Sequence, residues 1–255
     1  MQSAYIPGTS LLHRLHPLTK LAGAALVITA IYLLPWPLAP LVLFGGLLGL
    51  AYLSGVAGPF LRTALRVLLP ITISLFLIQG LLFPPPSATP LPLGPITLRR
   101  EGLVFAFVTS TRLLAFTGTL LLLLETTHPA DLVFALTQRG LPSSIGYILL
   151  VALQIVPNMT ARATDVLEAQ RSRGLETQGG VRRVRALVPL VGPLIVGALV
   201  DVEERAMALE SRAYTAPGPK TSLRELVDTF SQRVARWLML LGIAALIAWR
   251  IVMAL

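Results

Sequence analysis

The sequence predicts an all-α, polytopic membrane protein, with about five transmembrane helices plus long cytoplasmic helices. Three observations carry that expectation. Of 255 residues, 55% are hydrophobic and only 13% charged, whereas a soluble domain holds roughly 25% charged residues. Uncharged apolar stretches recur along the chain, the first running through residues 21–61, enough for two crossings at about 20 residues each. Finally, an arginine-bearing pattern, Ala-x-x-Ser-Arg-small, occurs twice near the ends of helical runs: Ala169, Ser172, Arg173, Gly174, and again Ala208, Ser211, Arg212, Ala213.

The net charge of +9 and the absence of Cys narrow the class further. A basic excess can mean nucleic acid, but here the arginines lie between apolar segments, where the excess of positive charge on the cytoplasmic side of membrane proteins explains them. No nucleic-acid partner is expected. Without Cys there is no disulfide framework, thiol nucleophile or thiolate metal site. His13, Arg14 and Lys20 precede the first apolar run and no small-residue cleavage site follows it, so it reads as a retained span.

Taken in order, residues 1–20 form a polar entry. Pro35, Trp36, Pro37 and Pro40 break the first uncharged stretch into spans at about 18–34 and 38–57, the aromatic and prolines suiting an interfacial turn. Arg62 and Arg66 mark a return, and a third span runs at about 66–83. Residues 84–95 hold six prolines and read as an extended external loop rather than a helix. A fourth span follows at about 103–124, with Arg112 in its middle. An intramembrane arginine is costly and marks either a functional site or a bundle contact made for assembly; both readings stand open.

From Glu125 the arginines multiply. The apolar runs 145–156 and 186–200 are too short to cross comfortably, and they read as apolar flanks of long interfacial or cytosolic helices. The first arginine helix is expected to begin at Asn158, after Pro157, and to stop at Gly174. A last span at about 234–254 closes the chain. The organisation is thus 1–124 with four membrane helices and the proline-rich loop, 125–233 as a cytoplasmic helical domain, and 234–255 as the final membrane helix. The amino terminus is also expected on the cytoplasmic side of a cell-membrane protein.

The repeated arginine pattern is the strongest chemical signal. A planar, permanently charged guanidinium at a helix end suits carboxylates or carbonyls on a partner, and the small residue a turn earlier leaves room for a close approach. One such end is ordinary solvated helix chemistry; two on separate helices suggest two similar sockets. Asp165 with Glu168, and Asp201 with Glu204, stand at i, i+3 and offer an alternative, a Mg²⁺-dependent intramembrane transferase. The same acids stand at the spacing of ordinary helix ion pairs with Arg205 and Arg171. His13 and His16 form a possible metal pair without a third ligand. The stretch 216–221 echoes the tail of a phosphate loop but lacks its glycines, so ATP, if used, is bound by another chain. No metal site and no cofactor are expected in this one.

Four stretches together resemble the transmembrane T component of energy-coupling factor (ECF) transporters. They are Tyr5-Ile6-Pro7-Gly8-Thr9-Ser10 with His13-Arg14-Leu15, Pro17 and Thr19-Lys20; Thr126-Thr127, Pro129 and Asp131-Leu132 followed by Gly140-Leu141-Pro142; and the two arginine motifs. The chain departs from that pattern at His16, where the family usually has Asp, at Ala213, where it has Gly, and at Ser172 and Ser211, where it has Ala. The resemblance implies a non-catalytic scaffold of an ABC-type importer for vitamin or metal uptake. Its arginine motifs would dock into two cytosolic ATPase subunits, which bind ATP and Mg²⁺. The faces of its coupling helices would hold a small substrate-binding membrane protein, the S component, with Leu194, Ile195, Ala198 and Leu199 among the contacts. Which substrate it carries is the partner's property.

Overall fold

The computed structural model describes residues 5–8, 10–79, 90–93, 96–174, 188–214, 216–218 and 226–253. The helices are α1 (Leu11–Arg14), α2 (Pro17–Leu33), α3 (Ala39–Leu53), α4 (Ala57–Leu77), α5 (Arg100–Thr126), α6 (Pro129–Thr137), α7 (Ser143–Ser172), α8 (Val188–Ser211) and α9 (Phe230–Val252). At the end of the expected external loop and just past it, Pro90–Leu93 (β1) and Ile96–Arg99 (β2) pair as an antiparallel hairpin. It is the one sheet among the described residues; residues 84–89, 94 and 95 of that loop lie outside them. Proline donates no backbone hydrogen bond, which restricts a strand like β1 to a sheet edge.

The chain divides into two units: Gly140–Glu225, and Gln2–Arg139 together with Leu226–Leu255. The larger one is a membrane bundle. Its core joins Leu47 and Ala51 of α3, Val56, Phe60 of α4 and Leu122 of α5, with Phe44 stacked on Phe60 at 6.0 Å. Elsewhere the bundle presents large apolar side chains outward, among them Val42, Leu53, Leu69, Leu238 and Val252, as a lipid-facing surface does.

Among the described residues, four helices are long and apolar enough to cross a membrane: α4, α5, α7 and α9. The expected first and second spans are the shorter α2 and α3, of 17 and 15 residues. The third begins nearer the amino terminus than expected, at Ala57, so that Arg62 and Arg66 lie inside α4 with exposed side chains. Long arginine stems near a helix end carry their charge to the interface without stopping the helix.

The amino-terminal and mid-chain signatures lock the bundle together. The Ile6 N–H donates to the Glu125 carbonyl (2.9 Å) and Lys20 Nζ to the Thr126 carbonyl (2.7 Å), while Tyr5 packs edge-on to His128 at 5.3 Å. His13 Nε2 donates to the Ile6 carbonyl (3.0 Å), which leaves Nδ1 to accept the Ser10 hydroxyl (2.7 Å). Both its nitrogens are committed to the fold.

These contacts bring the end of α5 to the start of α2. Helices α2 and α9 then run parallel, because the His16 N–H meets Gln232 Oε1 at 2.7 Å, Gly23 lies beside Met239 and Gly242 beside Leu26. All three ends therefore gather at one end of the bundle. There Arg139 Nη2 reaches Asp228 Oδ2 at 3.0 Å, so the chain leaves the bundle and returns to it at a single clasp.

His16, one of the departures from the resembled pattern, caps the amino terminus of α2. Its Nδ1 accepts from the Leu18 N–H (3.3 Å) and from Arg236 Nη1 (3.4 Å). The acid for Arg236 comes instead from Asp228 (2.6 Å), whose carboxyl the Arg236 hydrogen bond holds below its usual range. Burial lowers the His16 pKa, with Arg236 and Arg139 adding to the effect and Asp228 opposing it. A histidine depressed on folding binds more protons when unfolded, so its contribution weakens as pH falls below its ordinary value near 6.5. The expected result is a lower Tm at pH 5.5 than at pH 7.5 in detergent, by a margin that His16→Asn reduces. An equal margin in that variant would assign the pH dependence to other groups.

Candidate functional site

Both arginine motifs lie in the unit Gly140–Glu225, at the carboxyl ends of α7 and α8. In α7 the last helical residue is Ser172, Arg173 is the cap (φ −88°, ψ 7°), and Gly174 turns left-handed at φ +91°. Its N–H donates to the Arg171 carbonyl at 2.9 Å. In α8 the same register recurs. Ser211 is the last helical residue and Ala213 takes φ +53°; the Ala213 N–H donates to Glu210 (2.9 Å) and the Tyr214 N–H to Leu209 (3.0 Å). That pair of bonds is the helix-terminating Schellman arrangement. Arg173 and Arg212 are thus equivalent residues on equivalent caps, and both are exposed.

Ala213 adopts the glycine conformation without being glycine, at a cost of about 1 kcal/mol. Tyr214, beside it, packs on Tyr147 with ring centroids 5.6 Å apart, which holds the turn in place. Ala213→Gly is therefore expected to raise hydrogen-exchange protection of the Tyr214 amide about two- to fivefold, the larger unfolded freedom of glycine offsetting part of the gain. Lowered protection would show that the Ala213 methyl group is a packing contact.

The serines of the two motifs turn inward on their own helices. Ser172 Oγ donates to the Glu168 carbonyl (3.1 Å) and Ser211 Oγ to the Ala208 carbonyl (3.1 Å). Ala169 and Ala208, one turn back, are exposed and small. The strip of each helix end that carries the alanine and the serine is therefore low in bulk.

The two helices meet at an interhelical ion pair. Arg162 Nη1 and Nη2 donate to Asp201 Oδ2 and Oδ1 at 3.2 and 3.1 Å. Gly197 makes room for it, since a side chain there would run into the Arg162 guanidinium. With Tyr147 beside Tyr214, this pairing makes α7 and α8 antiparallel. Arg162 lies eleven residues before Arg173 and Asp201 eleven before Arg212. At about 1.5 Å per helical residue, each arginine sits roughly 16 Å from the bridge, on opposite sides of it.

Three of the four acids considered for Mg²⁺ gather at this crossing. Asp165, Asp201 and Glu204 line a groove of about 420 Å³, but Arg162 and Arg205 line it too, and Glu168 lies outside it. Both Asp201 oxygens are already bound by Arg162. Among the described residues no three His, Cys, Asp or Glu side chains converge as a metal site. The groove is an ion-paired helix crossing.

Two expectations about these helices change. Helix α7 does not begin at Asn158 but runs unbroken through Pro157 from Ser143; proline removes one backbone bond, and a long helix tolerates that loss. The run 145–156 is indeed the flank of a long helix, yet the uncharged stretch continues to Ala161, which makes α7 long enough to cross. On α8, Ile195 and Leu199 are exposed (54% and 60%), while Leu194 and Ala198 are half-buried on the face that carries Gly197 and Asp201. Residues 186–187 lie outside the described residues. In α5, Arg112 is half-buried and its Nε has no hydrogen-bond partner among the described residues.

The family profile of the cobalt transport protein CbiQ matches residues 8–223. Curated relatives cover most of the chain. The energy-coupling factor transporter transmembrane protein EcfT of Heliobacterium modesticaldum is 32% identical over 88% of this chain and 87% of its own. The EcfT of Bacillus subtilis is 30% identical over 88% of each, and that of Thermosediminibacter oceani 29% over 91% and 90%. This chain belongs to the family of ECF transporter T components. It is a multi-pass membrane component of such a transporter. Sequence reasoning missed the Arg162–Asp201 bridge and the Asp228 clasp. The one signal for the bridge was the constant offset between the two motifs, which these two residues share.

Proposed function

We propose that this T component is the non-catalytic scaffold of an ECF-type importer. Arg173 and Arg212 dock into two cytosolic ATPase subunits, which bind ATP and Mg²⁺. The apolar flanks of α7 and α8 hold a small substrate-binding membrane protein, and hydrolysis in the ATPases drives uptake of a vitamin or metal through that partner. The amino terminus and residues 125–233 face the cytoplasm. The observation that carries this reading is the equal-armed antiparallel crossing of α7 and α8, with identically built arginine caps roughly 16 Å to either side of one bridge. Two matching ends pointing apart fit two copies of one kind of socket.

Reconstitution tests it. Proteoliposomes holding this chain, its ATPases and its substrate-binding partner should take up substrate with ATP, and omission of any one component should stop uptake. The chain alone should neither hydrolyse ATP nor turn over a diphosphate substrate with Mg²⁺. Turnover or flux by the isolated chain would overturn the scaffold reading in favour of an enzyme or a self-contained permease.

A further inference from the structure

Asp228 faces more cations than it can neutralise. Arg236 Nη2 lies 2.6 Å from its Oδ2, Arg139 Nη2 3.0 Å and Arg233 Nε 3.5 Å from the same oxygen. Guanidinium groups stay charged at any physiological pH. His16, the remaining neighbour, is an acceptor for the Leu18 N–H and so is neutral. Three positive charges thus meet one negative charge, and Arg139 and Arg233 keep 54% and 58% of their side chains exposed.

This charge stands at the mouth of a groove of about 390 Å³ between α2 and α9. Arg139, Arg233 and Arg236 line one part of it, and Leu21, Ala25 and Leu240 line the rest. Trp237 lines it as well and is 68% exposed, the residue type that settles at the level of lipid headgroups. The cationic part lies at the first turns of two parallel helices, whose amino-terminal dipoles add to the positive potential. The apolar part runs on along the spans. Solvated interfacial arginines need no such groove, and a free anion makes no use of its apolar floor. A zwitterionic headgroup would bring its own cation towards the arginines.

We propose that this groove binds an anionic phospholipid, with the phosphate between Arg139 and Arg233 and an acyl chain along Leu21, Ala25 and Leu240. Bound there, the lipid screens the surplus charge around Asp228. It thereby steadies the clasp at which residues 140–225 leave and rejoin the bundle. The lipid site depends on the bundle alone and stands independently of the ATPase-docking reading.

Trp237 reports on the site directly. In the full chain carrying Trp36→Phe and Trp249→Phe, Trp237 is the one tryptophan left. Brominated phosphatidylglycerol in mixed vesicles should quench it with about tenfold higher relative affinity than brominated phosphatidylcholine, the size expected of one to two surface charges. Arg139→Gln with Arg233→Gln should abolish the preference, Arg139→Lys with Arg233→Lys should keep most of it, and Arg62→Gln with Arg66→Gln should leave it intact. Equal quenching by the two lipids in the chain with all its arginines would overturn the proposal whether or not the glutamine variant folds. So would a preference lost equally on removing Arg62 and Arg66. Loss of the preference in inorganic phosphate, at an ionic strength where chloride preserves it, would assign the arginines to a free anion instead.

Discussion

Arg173→Glu combined with Arg212→Glu is expected to abolish co-purification of the ATPases while the chain still inserts into the membrane at its usual yield. Both side chains are exposed on helix caps, and neither has an ion-pair partner among the described residues. Reversing them therefore breaks no ion pair among the described residues. Truncating one partner of a hydrogen-bonded charge pair buried in an interface costs about 2–5 kcal/mol. Two reversals also introduce repulsion, so binding should fall by three orders of magnitude or more. Each single variant should retain measurable ATPase, because the second arm still holds one subunit. Arg171→Glu, beside Arg173 but outside the repeated pattern, controls for net charge and should change affinity less than about tenfold. Full recovery of ATPases with the double variant would show that the caps are solvated ends and that the subunits bind elsewhere.

The two caps were legible because capping is local chemistry. Gly174 announces a left-handed stop, and the repeated pattern carries the same register to Ala213, where the backbone takes the glycine conformation at φ +53°. Composition likewise predicted a helical membrane protein without reference to any tertiary pairing. Boundaries were less legible where one residue type serves two purposes. Pro157 reads as a helix start, yet α7 passes through it, and Arg62 and Arg66 read as a boundary, yet α4 begins before both. Strand pairing at Pro90–Leu93 was hidden by prolines, which local propensity assigns to loops. Least legible were the long-range polar contacts. Arg162 finds Asp201 rather than an acid on its own helix, and Asp228 gathers arginines from α9 and from the turn after α6. Nothing in the local sequence chooses between an i, i+4 partner and one on another element; packing makes that choice.

Packing also decides how the apolar surface of α8 should be tested, and here the second large effect is expected. Leu194, Ile195, Ala198 and Leu199 form one stripe by spacing, but they divide in the structure. Leu194 and Ala198 are half-buried on the face that meets Arg162, so aspartate there would disturb the α7–α8 crossing as well as any partner. Ile195 and Leu199 stand out by 54% and 60%, which makes them the pair to change. Burying two such side chains in an interface contributes roughly 1.5–3 kcal/mol each, and aspartate in their place adds the cost of an unpaired buried charge. Ile195→Asp with Leu199→Asp should therefore release the substrate-binding membrane protein, by a hundredfold or more in affinity, while the ATPases remain bound to Arg173 and Arg212. The chain contains no Cys, so single cysteines at Ile195 or Leu199 can be crosslinked without background and should form adducts with that partner. If the double variant keeps its partner and the cysteines react only with lipid-phase probes, α8 is an interfacial anchor. The substrate-binding protein would then have to dock on another surface, with the exposed flank of α7 at Ile148 and Val156 as the next place to look.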